Sequence, residues 1–158
     1  MAAVDYFLKI DGIQGESRDD RHKDEIDIES FSWGETQSGT FAVGGGGGSG
    51  KVSMQDFHFT MTVNKASPAL FLACAQGNYI KNAILICRKG GREEFLKVTM
   101  NDVLVSSFQI GGAEGVVPTD QISLNFAKIE VEYQEQDATG KLVGSIKKWF
   151  DFKTMKGG

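Results

Sequence analysis

The sequence predicts a mainly β protein, a small β-barrel of about eight strands with one short flanking α-helix. Three observations lead there. Apolar and polar residues alternate at period two in segment after segment, the pattern of half-buried strands. Only one stretch, 67–77, carries both a helix start and a helix stop signal. No linker, low-complexity tail or internal repeat divides the 158 residues, so the whole of 1–158 is expected to be one domain with a shared core.

The elements follow in order. In 4–10, Val4, Tyr6, Leu8 and Ile10 face one way, with Asp5 and Lys9 opposite. Residues 12–25 are polar, carry both charge signs and read as a solvated loop. In 26–33, Phe31 and Trp33 share one face and Ser30 and Ser32 the other. A third strand, 35–43, runs into five consecutive glycines, and 52–63 follows as a long strand with Phe57, Phe59, Met61 and Val63 at period two. The helix of 67–77 has Ser67 as the expected cap, Pro68 at its first position and Gly77 as a left-handed stop. It is too short to persist alone and must lean on the sheet through Leu70, Phe71 and Cys74. Strands resume at 83–89, 93–100, 103–110, 121–133 and 145–153. Within 121–133 the apolar phase slips from Ile122, Leu124 and Phe126 to Ile129, Val131 and Tyr133, which predicts a bulge or sharp bend near Ala127 and Lys128.

The glycine run resembles a phosphate loop only at first sight. Gly45 to Lys51 fits G-x-x-x-x-G-K, but Val52 stands where a Ser or Thr must hold Mg²⁺. A phosphate loop also opens a helix, and here a strand follows. The glycines therefore read as a flexible connection between strands. Cys74 and Cys87 are expected to be buried thiols, since they show no metal-ligand spacing and a pairing cannot be read from sequence.

The net charge of −4 gives no basic footprint for nucleic acid, and no apolar run is long enough for a membrane span. The N-terminus lacks a basic region followed by an apolar one, so a cytoplasmic protein without a cleavable signal peptide is expected. Any export would need a route without such a peptide. Catalytic groupings are weak. His22 has no partner at motif spacing. Ser53, Asp56 and His58 lack a nucleophile elbow or oxyanion loop, and the carboxylates at Glu93-Glu94 and Glu130/Glu132 sit beside lysines as ordinary strand surface. Neither an enzyme nor a cofactor is expected. A carbohydrate- or protein-binding barrel using Trp33, Tyr79 and Trp149 is the alternative to a structural role.

Several short motifs, taken in order, are specific. They are Phe7-Leu8-Lys9-Ile10, Gly15-Glu16-Ser17, Glu25-Ile26-Asp27 and Ser32-Trp33-Gly34, then Lys51-Val52 and Gln55-Asp56-Phe57. Val103-Leu104-Val105-Ser106-Ser107, Gly111-Gly112, Ser123-Leu124-Asn125-Phe126-Ala127-Lys128-Ile129 and Trp149-Phe150-Asp151 complete them. Together they resemble the Hcp family, tube proteins of bacterial type VI secretion systems, over nearly the whole chain. The resemblance implies a β-barrel that forms a homo-hexameric ring with a central channel. Rings of the family stack into a tube inside a contractile sheath, and the tube leaves the cell with a VgrG-type spike and small effector proteins. One departure is the stretch Ala113-Glu114-Gly115-Val116-Val117-Pro118, more apolar than in relatives.

That resemblance gives three groups of residues an expected use. Ser32, opposite Phe31 and Trp33, is expected to face the channel and touch effectors. Phe41, Val43, Gly44, Gly45, Gly46, Gly47, Gly48, Ser49 and Gly50 are expected to form a ring-stacking loop, with Phe41 and Val43 as its apolar anchors. Val116 and Val117 are either a secondary contact patch or core at the start of a strand. No toxin-like extension is expected after Lys153, and ring formation is expected to need neither nucleotide nor metal.

Overall fold

The structure, a computed structural model, describes residues 3–39 and 50–158. In chain order the elements are β1 (Val4–Ile10), β2 (Ile26–Asp27), β3 (Ser30–Ser32), β4 (Glu35–Gln37), β5 (Val52–Met54), β6 (Phe57–Thr62), α1 (Ala66–Gln76) and β7 (Ile80–Lys89). They continue with β8 (Glu93–Ala113), β9 (Val116–Gln136), β10 (Leu142–Asp151) and β11 (Lys156–Gly157). The fold is mainly β with one helix, as expected. The strand boundaries differ from the expectation in both directions. The segments 26–33 and 52–63 each divide, whereas 93–100 and 103–110 run together as β8. They join through Asp102, which takes a left-handed φ of 56° without ending the ladder.

Nine strands form one sheet, and β4 pairs with β5 in a separate two-stranded one. Pairing runs from β1 to β7, β8 and β9, from β9 to β6, and from β6 to β3. The chain between β2, which pairs with β1, and β3, which pairs with β6, brings the circuit back to its start. The ladder is not continuous there. Ile28 N–H donates to the Tyr6 carbonyl at 3.2 Å and Glu29 N–H to the Thr60 carbonyl at 2.8 Å, so the segment changes partner within two residues. The barrel is thus nearly closed rather than closed. Its interior holds Leu8, Ile26, Phe57, Phe59, Met61, Leu85, Met100, Ile122 and Leu124, all fully buried or nearly so.

The phase slip in β9 is real. Buried positions change from Asp120, Ile122, Leu124 and Phe126 to Ile129. The register with β8 nonetheless holds across it, from Val103↔Phe126 to Asn101↔Lys128. No bulge lies at Ala127 and Lys128; β8 slips phase with β9 there, from Met100 to Val103 across left-handed Asp102, and the register shift between Val105 and Ser107, opposite Leu124 and Ser123, is a separate bulge at Ser106.

The helix starts one residue before the expected cap. Lys65 is the capping residue and contributes no side-chain bond. Asn64 Oδ1 accepts the Ala66 N–H at 2.8 Å in its place. Ser67 Oγ accepts the Asn64 N–H and donates to Asp120 Oδ2 at 2.5 Å, tying the helix to β9. The Gly77 stop is as expected, with φ 63° and ψ 40°. Ala66, Leu70 and Ala73 form the buried stripe, while Phe71 is 57% exposed and only edges onto Phe108. Both cysteines are free thiols, and burial raises Cys87 to about 11, too high for a reactive thiolate at neutral pH. Among the described residues no helix is long and apolar enough to cross a membrane.

The loop between β1 and β2 is not the solvated segment its charges suggest. Ser17 and His22 are buried, and so is Arg88 of β7, with His22 and Arg88 both packed on the Phe7 ring of β1. Gly15 is required there, because a Cβ would come within 2.7 Å of Ile26 Cα. Arg88 Nη1 donates to Asp19 at 2.8 Å and Nη2 to Asp5 at 3.0 Å. The hydrogen bond from Arg88 is the main cause that lowers Asp19 from 3.8 to about 2. A carboxylate lowered on folding stabilises the protein fully above its unfolded value, and that contribution fades as pH falls through the folded one. Asp19→Asn should therefore flatten the acid limb between about pH 4 and pH 2 and leave the neutral limb's slope unchanged, as read by urea midpoints across pH. An unchanged acid limb would remove Asp19 from that account.

Candidate functional site

Where β3, β6, β9 and β8 lie side by side, their cross-strand register builds two polar rows. Ser32 pairs with His58, His58 with Ser123 and Ser123 with Ser107. Two positions along, Ser30 pairs with Thr60, Thr60 with Gln121 and Gln121 with Gln109. The interleaved row is Phe31, Phe59, Ile122 and Phe108, which points into the core. The cause is local. A strand's side chains alternate, so burying one row of aromatic and aliphatic groups turns the neighbouring rows outward.

The outward face is hydrogen-bonding surface built mainly of hydroxyls and amides, in which Ser123 is itself buried beneath its neighbours. Ser30 and Thr60 hydroxyls lie 2.6 Å apart, and Ser123 Oγ is 2.7 Å from Ser106 and 2.5 Å from Ser107. Carboxylates stand only at its margins. Asp56 accepts from Ser106 Oγ at 2.6 Å and Asn125 Nδ2 at 2.9 Å, and Glu29 accepts from Thr62 Oγ1 at 2.6 Å. A shallow depression of about 380 Å³ lies over Ser30, Ser32, His58, Thr60, Ser107, Gln109 and Gln121, with Phe31, Phe59 and Ile122 also in its lining.

Ser32 is exposed on this face, across the sheet from half-buried Phe31. Its companions on β8 and β9 were not singled out from sequence. The signal was present, since Gln121, Ser123 and Asn125 alternate with Ile122, Leu124 and Phe126. Asp56 does not orient His58; Ser106 and Asn125 take its oxygens, while Ser53 lies on β5 opposite Thr36. The imagined Ser–His–Asp grouping is therefore not assembled.

The other expected sites fall elsewhere. Gln37 pairs with Val52, so the strands on either side of the glycine run in sequence pair with each other, and a strand follows Lys51. Phe41, Val43, Gly44, Gly45, Gly46, Gly47, Gly48 and Ser49 lie outside the described residues. Gly50 is described, and a Cβ there would collide with the Ser38 carbonyl oxygen. Val116 and Val117 are 64% and 63% exposed beside Ile110 at 61%, so the reading of these two as core is wrong. They begin β9 beyond the reach of the helix and of β7, where nothing among the described residues covers them. Trp33, Tyr79 and Trp149 form no common platform. Trp33 packs inward against Phe126, Tyr79 donates to Asp102 at 2.6 Å, and Lys128 covers Trp149 at 4.7 Å from its ring centre.

Known proteins resemble this chain along most of its length. Residues 7–133 match the family described as "Type VI secretion system effector, Hcp". Protein hcp1 of Pseudomonas aeruginosa is 45% identical over 151 residues, which cover 93% of each chain. The crystal structure of Hcp1 from Salmonella typhimurium superposes with a TM-score of 0.84 at 38% identity, covering 100% of both chains. A structure described as a type six secretion system protein gives a TM-score of 0.92 at 31% identity, with 99% of this chain and 100% of the other covered.

Proposed function

Because the chain belongs to the Hcp family of type VI secretion systems, we propose that it is a structural tube subunit whose polar sheet face lines the channel. Six copies close a ring, rings stack, and the tube is expelled by a contractile sheath beneath a VgrG-type spike. The subunit is made in the cytoplasm, leaves without a cleavable signal peptide, and works as one domain without catalysing a reaction. The observation that carries this reading is the pair of rows Ser32, His58, Ser123, Ser107 and Ser30, Thr60, Gln121, Gln109. A wall of hydroxyls and amides holds passengers by hydrogen bonds, each with a small net free energy. It neither seizes them by charge nor buries them irreversibly. The loop of residues 44–50, with Phe41 and Val43, serves ring-to-ring contact, and the exposed Ile110, Val116 and Val117 form a further contact patch.

Ser32→Gln tests the assignment. Replacing a small hydroxyl by a long amide in every subunit narrows the channel at one level without touching the core. Hexamers should persist in native mass spectrometry with neither nucleotide nor metal added. Retention of a small effector protein on purified rings should fall about tenfold, the equivalent of ~1.4 kcal/mol. Unchanged retention would move Ser32 out of the channel, and loss of hexamers would put it in a contact between subunits.

A further inference from the structure

We propose that His22 is a proton-dependent clasp that fastens the β1–β2 loop to the sheet. Its side chain is only 5% exposed and touches a carboxylate at each ring nitrogen. Nδ1 lies 3.0 Å from Glu25 Oε2, on its own loop, and Nε2 lies 2.6 Å from Glu94 Oε1, on β8. The ring stacks on Phe7 of β1 at 4.4 Å between centres and 17° between planes.

Donor counting makes this a proton-requiring site. A neutral imidazole has one N–H and one lone pair, and ionised carboxylates only accept. Two carboxylates can both be satisfied only when an extra proton is present, so that each nitrogen donates. Without it, one contact sets a ring lone pair against a carboxylate oxygen, and the cost falls on the buried imidazole rather than on Glu94, which is 37% exposed. The carboxylates of this region come from the loop and from three strands. Glu25 comes from the loop, Glu94 from β8, Asp19 from the loop, Asp5 from β1 and Asp27 from β2. Arg88 of β7, over the Phe7 ring at 4.7 Å, is bound to Asp5 and Asp19. Arg21 points away, to the Arg92 carbonyl.

The clasp holds a small network in place. Gly15 N–H donates to Asp24 O, Asp24 N–H to Ser17 O and Ser17 N–H to Glu25 O, between 2.8 and 3.0 Å. Glu16 then reaches the Lys65 N–H at the start of the helix, at 3.2 Å. With the proton in place the loop spans β1, β8 and α1. When the proton leaves at higher pH, the Glu94 or the Glu25 contact fails and the loop loosens. None of this depends on the ring.

The test uses the intact protein. Imidazole ¹⁵N spectra at about pH 6 should show N–H at both His22 nitrogens. Amide exchange at Gly15, Ser17 and Asp24, corrected for base catalysis, should quicken about tenfold between about pH 6 and pH 8.5. Glu94→Gln is the informative variant, because its amide can donate to a neutral Nε2. The loop should then stay protected across the same range. Glu25→Gln repeats the test from the other nitrogen. A single N–H at about pH 6, or a Glu94→Gln exchange profile that follows the wild type, would overturn the proposal.

Discussion

Phe57→Ala should destabilise the subunit by about 3–5 kcal/mol, the largest effect expected of any single core truncation here. Phe57 is 1% exposed, stacks on Phe31 at 5.9 Å and tilts against Phe59 at 6.2 Å. It also lies opposite Leu124 where β6 meets β9. Both strands are held by ladders, so the walls of the cavity cannot close in after the ring is removed. The melting temperature should fall by roughly 10 °C, measured at fixed subunit concentration because assembly raises apparent stability. A loss below about 1 kcal/mol would mean that the barrel repacks around the missing ring.

Deleting three of the glycines at 44–48 should leave rings intact and cut tube growth at least tenfold. Among the described residues β4 and β5, which flank these glycines in sequence, share no ladder with the nine-stranded sheet, so the deletion should disturb neither core nor main register. Glycine-rich chain loses much conformational entropy when it is ordered, so such a contact must recover it elsewhere. In the proposed stack that recovery comes from Phe41 and Val43 buried on the next ring. The readouts are hexamer content by native mass spectrometry and tube length by electron microscopy under crowding. Loss of hexamers with folded monomers would assign the loop to the contact within a ring, and unchanged tubes would remove it from stacking.

Period-two alternation carried most of the fold. Phe57, Phe59 and Met61 are buried where the pattern put them, and Ser32 is outward for the same reason. Partners far apart in sequence were invisible. His22 meets Glu94 from 72 residues away, and nothing near His22 announces it. The switch of partner at Ile28 and Glu29 was hidden because each half of 26–33 looks like ordinary strand. The gap between the expected strands 93–100 and 103–110 does not exist, because Asp102 takes a left-handed φ and the ladder continues past it. The helix cap was misplaced for a plainer reason. Ser67 has the chemistry of a cap but spends its hydroxyl on buried Asp120, and Asn64 takes the role. Exposure of Val116 and Val117 had no sequence signature, because an outward valine in a strand looks like an inward one.

The paired β8 and β9 strands also have a mechanical meaning. Each is 21 residues long, and their ladder runs from Leu96↔Tyr133 to Ala113↔Val116. Antiparallel bonds lie across the strand axis. A load along that axis strains the whole set together, whereas a load across it peels the ribbon one bond at a time. The subunit is therefore stiff in one direction and compliant in another. In the proposed tube, resistance to thrust would rest on how this ribbon is aligned with the load.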